Sequence, residues 1–330
     1  MRVGVIGAGF MGAIHAQVYR DLLQTELVAV TDLDPARAYR AAGSDDCAVF
    51  LDYREMFARS ALDVVSICTK DDLHREPALA AAAAGVHIML EKPIAATLED
   101  AAVISKAAQE AGVKLGVGYL LRFDPRYALA RQALQDGRLG ELTHITAKRS
   151  SPHTEGPSRY GGSLPLALHV TVHDLDLIYW LTGKKVRRVY AQAATKLLGG
   201  SGTEDSVFAI LTLEDGVVAN LESSWALPGT SKTKLDARLA LLGTRGLAEV
   251  DCGESGLYLA DEAGVDYPDT QHWPMIGGRI RGDIKEELAG FIEDIRTGSA
   301  NVADGEAATE SLKVALAIIE SSRTGAAISL

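Results

Sequence analysis

The chain has 330 residues, 47% apolar and 23% charged, with a net charge of −11 at neutral pH. That is a globular composition and more chain than one ordinary core holds, so two domains are expected. The acidic balance, with no basic cluster, argues against a general nucleic-acid binder and a polybasic membrane anchor; no apolar run is long enough to cross a bilayer, and no signal peptide precedes the first strand.

The predicted elements begin with a buried strand, Arg2–Ile6, which runs into Gly7, Gly9 and Gly12 in the spacing G-x-G-x-x-G. A helix-like run to Leu23 follows. Gly7 permits a sharp turn, Gly9 lets a pyrophosphate approach the backbone, and Gly12 lets helix and strand pack closely. Amides at the helix start, with its dipole, suit the phosphates. A second strand, Leu27–Asp32, ends on an acid 20 residues past Gly12, where a carboxylate takes the ribose hydroxyls of NAD. Asp32 repels a 2′-phosphate and Leu33 offers it no cation; Arg37 is near enough to leave NADP possible.

Strands and helices then alternate. Helix Pro35–Ala42, strand Ala48–Leu51, strand Val64–Thr69, helix Leu73–Ala84, strand Val86–Glu91, helix Leu98–Ala111 and strand Val113–Tyr119 predict a doubly wound parallel sheet over residues 1–121. Residues 122–330 read as an α+β domain with a mainly antiparallel open sheet. Helix Pro125–Gln135 leads to strand Leu142–Arg149, a polar loop Ser150–Gly162 and helix Leu168–Leu181. Strands Val186–Ala194, Val207–Leu213, Val217–Trp225, Lys234–Leu242, Leu247–Val250 and Leu257–Leu259 follow, then helices Ile284–Thr297 and Ala303–Arg323. Val207 to Leu211 is apolar on both faces, so either another subunit or a loop such as Gly264–Gly278 is expected to cover the outer one. Cys47, Cys68 and Cys252 are widely spaced and read as reduced residues, which suggests the cytoplasm.

Ligands of an open parallel sheet bind beyond the carboxyl ends of its strands. Glu91-Lys92-Pro93 falls there, and the Lys92 ammonium can hydrogen-bond a substrate oxygen; a plain surface lysine is the alternative. Thr69 and His74 follow one strand, and Tyr119 and Arg122 another, so their loops face the same side. His169, His173, Asp174 and Asp176 form a second group, with His173 a natural general base. Spacing of four sets His169 and His173 on one helix face, where they could hold zinc with His153, His74 or an aspartate. With no H-E-x-x-H and no cysteine nearby, no metal is expected. His153, Arg149, Arg159 and Tyr160 are further candidate substrate contacts.

The order GAGFMG, Asp32, CTKDDLH, EKP, GYLLRFDPRY and HVTVHDLDLIYWLTG resembles the Gfo/Idh/MocA family of NAD(P)-dependent dehydrogenases over nearly the whole chain. The resemblance implies an N-terminal Rossmann domain and a C-terminal domain whose open sheet builds homodimers or homotetramers. It implies oxidation of a carbinol carbon in a cyclic polyol or sugar derivative, with inositols the leading case. It assigns catalysis to Lys92 and His173. With those roles, Gly7, Gly9, Phe10, Met11, Gly12, Asp32, Thr69, His74, Glu91, Lys92, Pro93 and Arg122 are read as cofactor contacts, and Tyr119, His153, Tyr160, His169 and Asp174 as substrate contacts. Many members carry an aspartate four residues before the helix histidine; here that residue is His169. The same fold also serves non-catalytic nucleotide sensors and sugar–sugar oxidoreductases that never release their cofactor, and both remain alternatives.

Overall fold

The computed structural model describes residues 1–154, 165–198, 203–253, 256–262 and 264–330. By its contacts the chain forms two units, Met1–Phe123 with Gln271–Thr309, and Asp124–Thr270 with Glu310–Leu330. A division at 121/122 leaves 271–309 with the second domain; those residues pack with the first.

The first unit follows the alternating pattern. Its elements are β1 (Arg2–Ile6), α1 (Phe10–Asp21), β2 (Glu26–Thr31), α2 (Pro35–Ala42), β3 (Ala48–Phe50), α3 (Tyr53–Arg59), β4 (Val64–Ile67), α4 (Arg75–Ala83), β5 (His87–Leu90), α5 (Leu98–Ala111) and β6 (Leu115–Val117). The strands are all parallel, in the order β3-β2-β1-β4-β5-β6. The order therefore reverses between β1 and β4, the switch point where nucleotides bind in doubly wound sheets. Asp34 caps α2 by accepting from Ala36 and Arg37, and Thr97 caps α5 by accepting from Asp100.

Several expected elements are shorter. The helix expected from Leu73 begins at Arg75, after a single 3-10 turn at Asp71–Leu73. The last strand keeps only three residues, because Gly118 and Tyr119 already turn away. Helix α3 is an addition. It buries only Met56, so its sequence shows no apolar stripe to announce it.

The second unit opens with α6 (Pro125–Gln135) and β7 (Leu142–Pro152). A π-helical turn, Ala167–Thr171, runs into α7 (Val172–Thr182). Then come β8 (Val186–Ala194), β9 (Ser206–Leu213), β10 (Val218–Leu227), β11 (Asp236–Gly243) and β12 (Leu247–Asp251). With the C-terminal strand Ile328–Ser329 they make seven strands, in the order β12-β11-β7-β10-β9-β8 and then that strand. Only the β7–β10 pair is parallel, so the sheet is mainly antiparallel. The helices α8 (Asp283–Thr297) and α9 (Gly305–Thr324) close the chain. No described helix is long and apolar enough to cross a membrane.

Alternation is strict on β9. Val207, Ala209 and Leu211 are buried, while Phe208 and Ile210 are about half exposed, at 49% and 51%. No described segment closes over them. On the inner face, Ala191 N–H donates to Ser321 Oγ of α9 at 2.9 Å, which ties that helix to β8.

The return segment is part of the first unit's core. Ile284, Leu288, Phe291 and Ile292 join Val3, Val5 and Val30 in one buried cluster. Gly116 makes room for it, since a Cβ there would lie 2.7 Å from the Phe291 ring.

Candidate functional site

The glycine loop between β1 and α1 has the geometry that its sequence demands. Gly7 has φ +87°. A Cβ on Gly12 would lie 1.7 Å from the Gly7 carbonyl oxygen, so no other residue fits. A Cβ on Gly9 would meet nothing within 4 Å, which leaves the approach to the backbone open. Gly9 is also the N-cap of α1 and has no side chain to occupy the first-turn amides. These features fit a dinucleotide pyrophosphate.

Asp32 follows β2. One carboxylate oxygen accepts from Ala8 N at 2.7 Å and the other from Asp34 N at 2.8 Å. The acid is thereby locked beside the glycine loop, with lone pairs left for ribose hydroxyls. Phe10 stands 40% exposed at the loop, and Met11 is partly buried against the core. Trp273 meets Phe10 edge-on, with ring centroids 5.7 Å apart. Beside it, His272 Nδ1 lies 2.9 Å from Asp283 Oδ2. Trp273 thus lies against the glycine loop of its own unit.

At the end of β5, Glu91 is buried and turns inward. Oε2 accepts from Lys92 N at 3.2 Å, and Oε1 lies 3.2 Å from His15 Nε2. Burial alone raises the Glu91 pKa; the close His15 ring, together with the Lys92 charge and backbone amide, outweighs it and holds the carboxyl below its ordinary value. The Lys92–Pro93 peptide is cis, Pro93 is buried and Lys92 is half-buried.

His74 is also turned inward. Its Nε2 lies 3.2 Å from the Thr69 carbonyl oxygen and its Nδ1 3.3 Å from that of Ile94. Burial lowers its pKa despite both carbonyls. The ring therefore braces the loops after β4 and β5, where a direct cofactor contact was expected. Tyr119, just before the 3-10 turn Leu120–Phe123, is buried, and Arg122, within it, is half-buried.

In the second unit, the histidine-bearing segment sits on polar anchors. Arg149 on β7 and Ser223 on β10 are paired neighbours on the sheet's inner face. Thr171 Oγ1 donates to Ser223 Oγ at 2.9 Å. Arg149 donates to both oxygens of Asp174, from Nε at 3.0 Å and Nη2 at 2.9 Å. Arg149 and Asp174, each read as a substrate contact, instead hold each other within the fold. Burial opposes charge on Arg149, but Asp174 more than offsets it and keeps the guanidinium pKa above its ordinary value.

His169 lies inside the π-helical turn and His173 in the first turn of α7; both are half-buried. The π turn closes i to i+5, so the simple i, i+4 helix face drawn from sequence does not describe the pair. His153 is half-buried just past β7, whereas Tyr160 and Arg159 fall outside the described residues. Among the described residues, no three His, Cys, Asp or Glu side chains group as a metal site.

The comparisons with known proteins agree with this geometry. Residues 1–119 match the profile of an oxidoreductase family with an NAD-binding Rossmann fold, and residues 127–249 that of the GFO/IDH/MocA C-terminal domain. The chain is 31% identical to inositol 2-dehydrogenase of Rhizobium meliloti, over 97% of this chain and 96% of that protein. It is 27% identical to myo-inositol 2-dehydrogenase of Thermotoga maritima, over 93% and 91%. The fold is similar to that of scyllo-inositol dehydrogenase from Lactobacillus casei, solved with NAD(H) and scyllo-inositol, at TM-score 0.85 and 24% identity, covering 100% of this chain and 98% of that one.

Proposed function

The chain belongs to the Gfo/Idh/MocA family of oxidoreductases, and on that premise we propose that it is an NAD-dependent dehydrogenase of a cyclic polyol of the inositol type. The observation that carries this reading is the likeness to an inositol 2-dehydrogenase along 97% of the chain. The glycine loop and Asp32 fit NAD, and the aspartate's charge disfavours the 2′-phosphate of NADP.

Bound NAD supplies the hydride acceptor. In our reading, His173 takes the proton of the substrate hydroxyl as the carbon–hydrogen bond breaks. Lys92 hydrogen-bonds a substrate oxygen and stabilises developing negative charge there. The products are a ketone, the reduced cofactor and a protonated His173. His169 stands where relatives often carry an aspartate; as a donor and acceptor it would grip ring hydroxyls without adding negative charge.

We further assign a homo-oligomer built through the outer face of the second sheet. Tyr190, Phe208, Ile210 and Val218 support it, each more than 40% exposed on three adjacent strands. A cytoplasmic location is supported by the three free cysteines.

The test is an initial-rate screen with NAD against myo-inositol, scyllo-inositol, aldoses and sugar acids, with Lys92→Ala run in parallel. Turnover of an inositol is expected, with kcat lowered about a hundredfold or more in the variant. Silence across the panel, with NAD binding demonstrated by tryptophan fluorescence, would replace the enzyme reading with that of a nucleotide sensor.

A further inference from the structure

His15 is fully buried on α1, and its ring joins two strands of the first sheet. Nδ1 lies 3.0 Å from Ser66 Oγ on β4, and Nε2 lies 3.2 Å from Glu91 Oε1 beyond β5. Tyr19, one turn further along α1, brings Oη to 2.9 Å from the same Ser66 Oγ. Glu91 Oε2 accepts from Lys92 N. A line of buried polar atoms thus runs from Tyr19 through Ser66, His15 and Glu91 to the backbone of Lys92, all within one unit.

Such a line is costly to bury and needs a reason. Ile14, Ala16 and Val18 on the same helix are buried aliphatics, and an aliphatic residue would also fill position 15. The reason lies in the carboxylate. Bonded only to the adjacent amide, Glu91 could swing about its last side-chain torsion. A partner on Oε1 removes that freedom, and with it the freedom of the turn that presents Lys92. A Cβ on Gly118 would sit 3.3 Å from that oxygen, so the glycine leaves the carboxylate its space. Cys68 and Glu287 also face this network; burial and the two glutamate charges push the Cys68 thiol well up, which keeps it neutral.

We propose that His15 is a positioning residue for Lys92: through Glu91 it fixes the turn from which the lysine reaches the substrate. The assignment rests on the reading of Lys92 as a substrate-contacting residue, so its test has one arm that needs no turnover. In the ligand-free protein, acetic anhydride labels lysines at rates set by their surroundings, and peptide mass spectrometry compares Lys92 with the exposed Lys106. His15→Gln keeps a donor in reach of Glu91; His15→Leu does not. The Lys92/Lys106 labelling ratio is expected to change about threefold in His15→Leu and to stay near wild type in His15→Gln.

In turnover of myo-inositol with NAD, kcat is expected to fall about tenfold in His15→Leu, with the KM for NAD unchanged. His15→Gln restores most of it, and the loss disappears in a Lys92→Ala background. Ser66→Ala, which removes one oxygen behind the ring, gives an intermediate loss and serves if His15→Leu does not fold. Equal losses in the Gln and Leu variants, or wild-type labelling and kcat in either His15→Leu or Ser66→Ala, would overturn the proposal. Full activity in Lys92→Ala would instead strike the lysine reading, and the labelling ratio would still decide whether His15 governs that turn.

Discussion

Arg149 and Asp174 form a buried two-point ion pair, with nitrogen–oxygen distances of 3.0 and 2.9 Å, that fastens the first turn of α7 to β7. The next residue back is His173. Arg149→Met leaves a buried carboxylate without its countercharge, which costs about 3–5 kcal/mol. Urea denaturation should show that loss for the single variant. Arg149→Met with Asp174→Leu should recover most of it, because an apolar pair carries no desolvation debt. A double variant no more stable than the single one would mean that packing, not charge, holds the helix.

The lowered pKa of Glu91 makes a prediction about acid. A carboxyl with a folded-state pKa below its unfolded value stabilises the protein fully above the ordinary glutamate value of 4.5. That contribution is lost as pH falls through the lower, folded-state value. Unfolding free energy measured from pH 6 to pH 3 should therefore fall less steeply in Glu91→Gln than in wild type. Parallel curves would show that this glutamate titrates alike in both states.

Asp32 offers the cleanest test of cofactor choice. Asp32→Ala removes the charge that opposes a 2′-phosphate, so the preference for NAD over NADP in kcat/KM should fall about tenfold. It also leaves the Ala8 and Asp34 amides without their acceptor. A stability loss of about 1–3 kcal/mol should accompany the switch. An unchanged NAD to NADP ratio would remove Asp32 from the ribose.

What the sequence disclosed was local. The glycine spacing and Asp32 could be read because the loop and the strand after it supply every feature, and α2, α5 and α6 because caps and glycines mark their ends. What stayed hidden depends on residues far apart in the chain. Arg149 and Asp174 each look like a ligand contact until the fold joins them. His15 looks like any lone histidine on an apolar helix until β4 and β5 bring Ser66 and Glu91 to its ring. The π turn at His169 leaves no periodic trace, since five residues are too few to shift an apolar stripe. The place of Trp273 stayed hidden because 271–309 returns to a unit whose sequence otherwise ends near residue 123.

The outer face of the second sheet yields the last prediction. Ile210 is paired with Tyr190 on β8 and Asn220 on β10, and Phe208 with Gln192 and Glu222. Tyr190, Phe208 and Ile210 thus lie together on this face with polar side chains beside them, the mixture of a protein interface. Ile210 is 51% exposed, so Ile210→Lys should leave the unfolding free energy of the subunit within about 0.5 kcal/mol. Buried between two subunits, the same lysine would bring an unpaired charge into an apolar contact, which costs several kcal/mol and suffices to separate them. Light scattering on the eluting protein should therefore show an oligomer for wild type and a smaller species for Ile210→Lys, with NAD binding retained. A wild-type protein that elutes as a monomer, or a variant with unchanged mass, would leave this face without the role assigned to it.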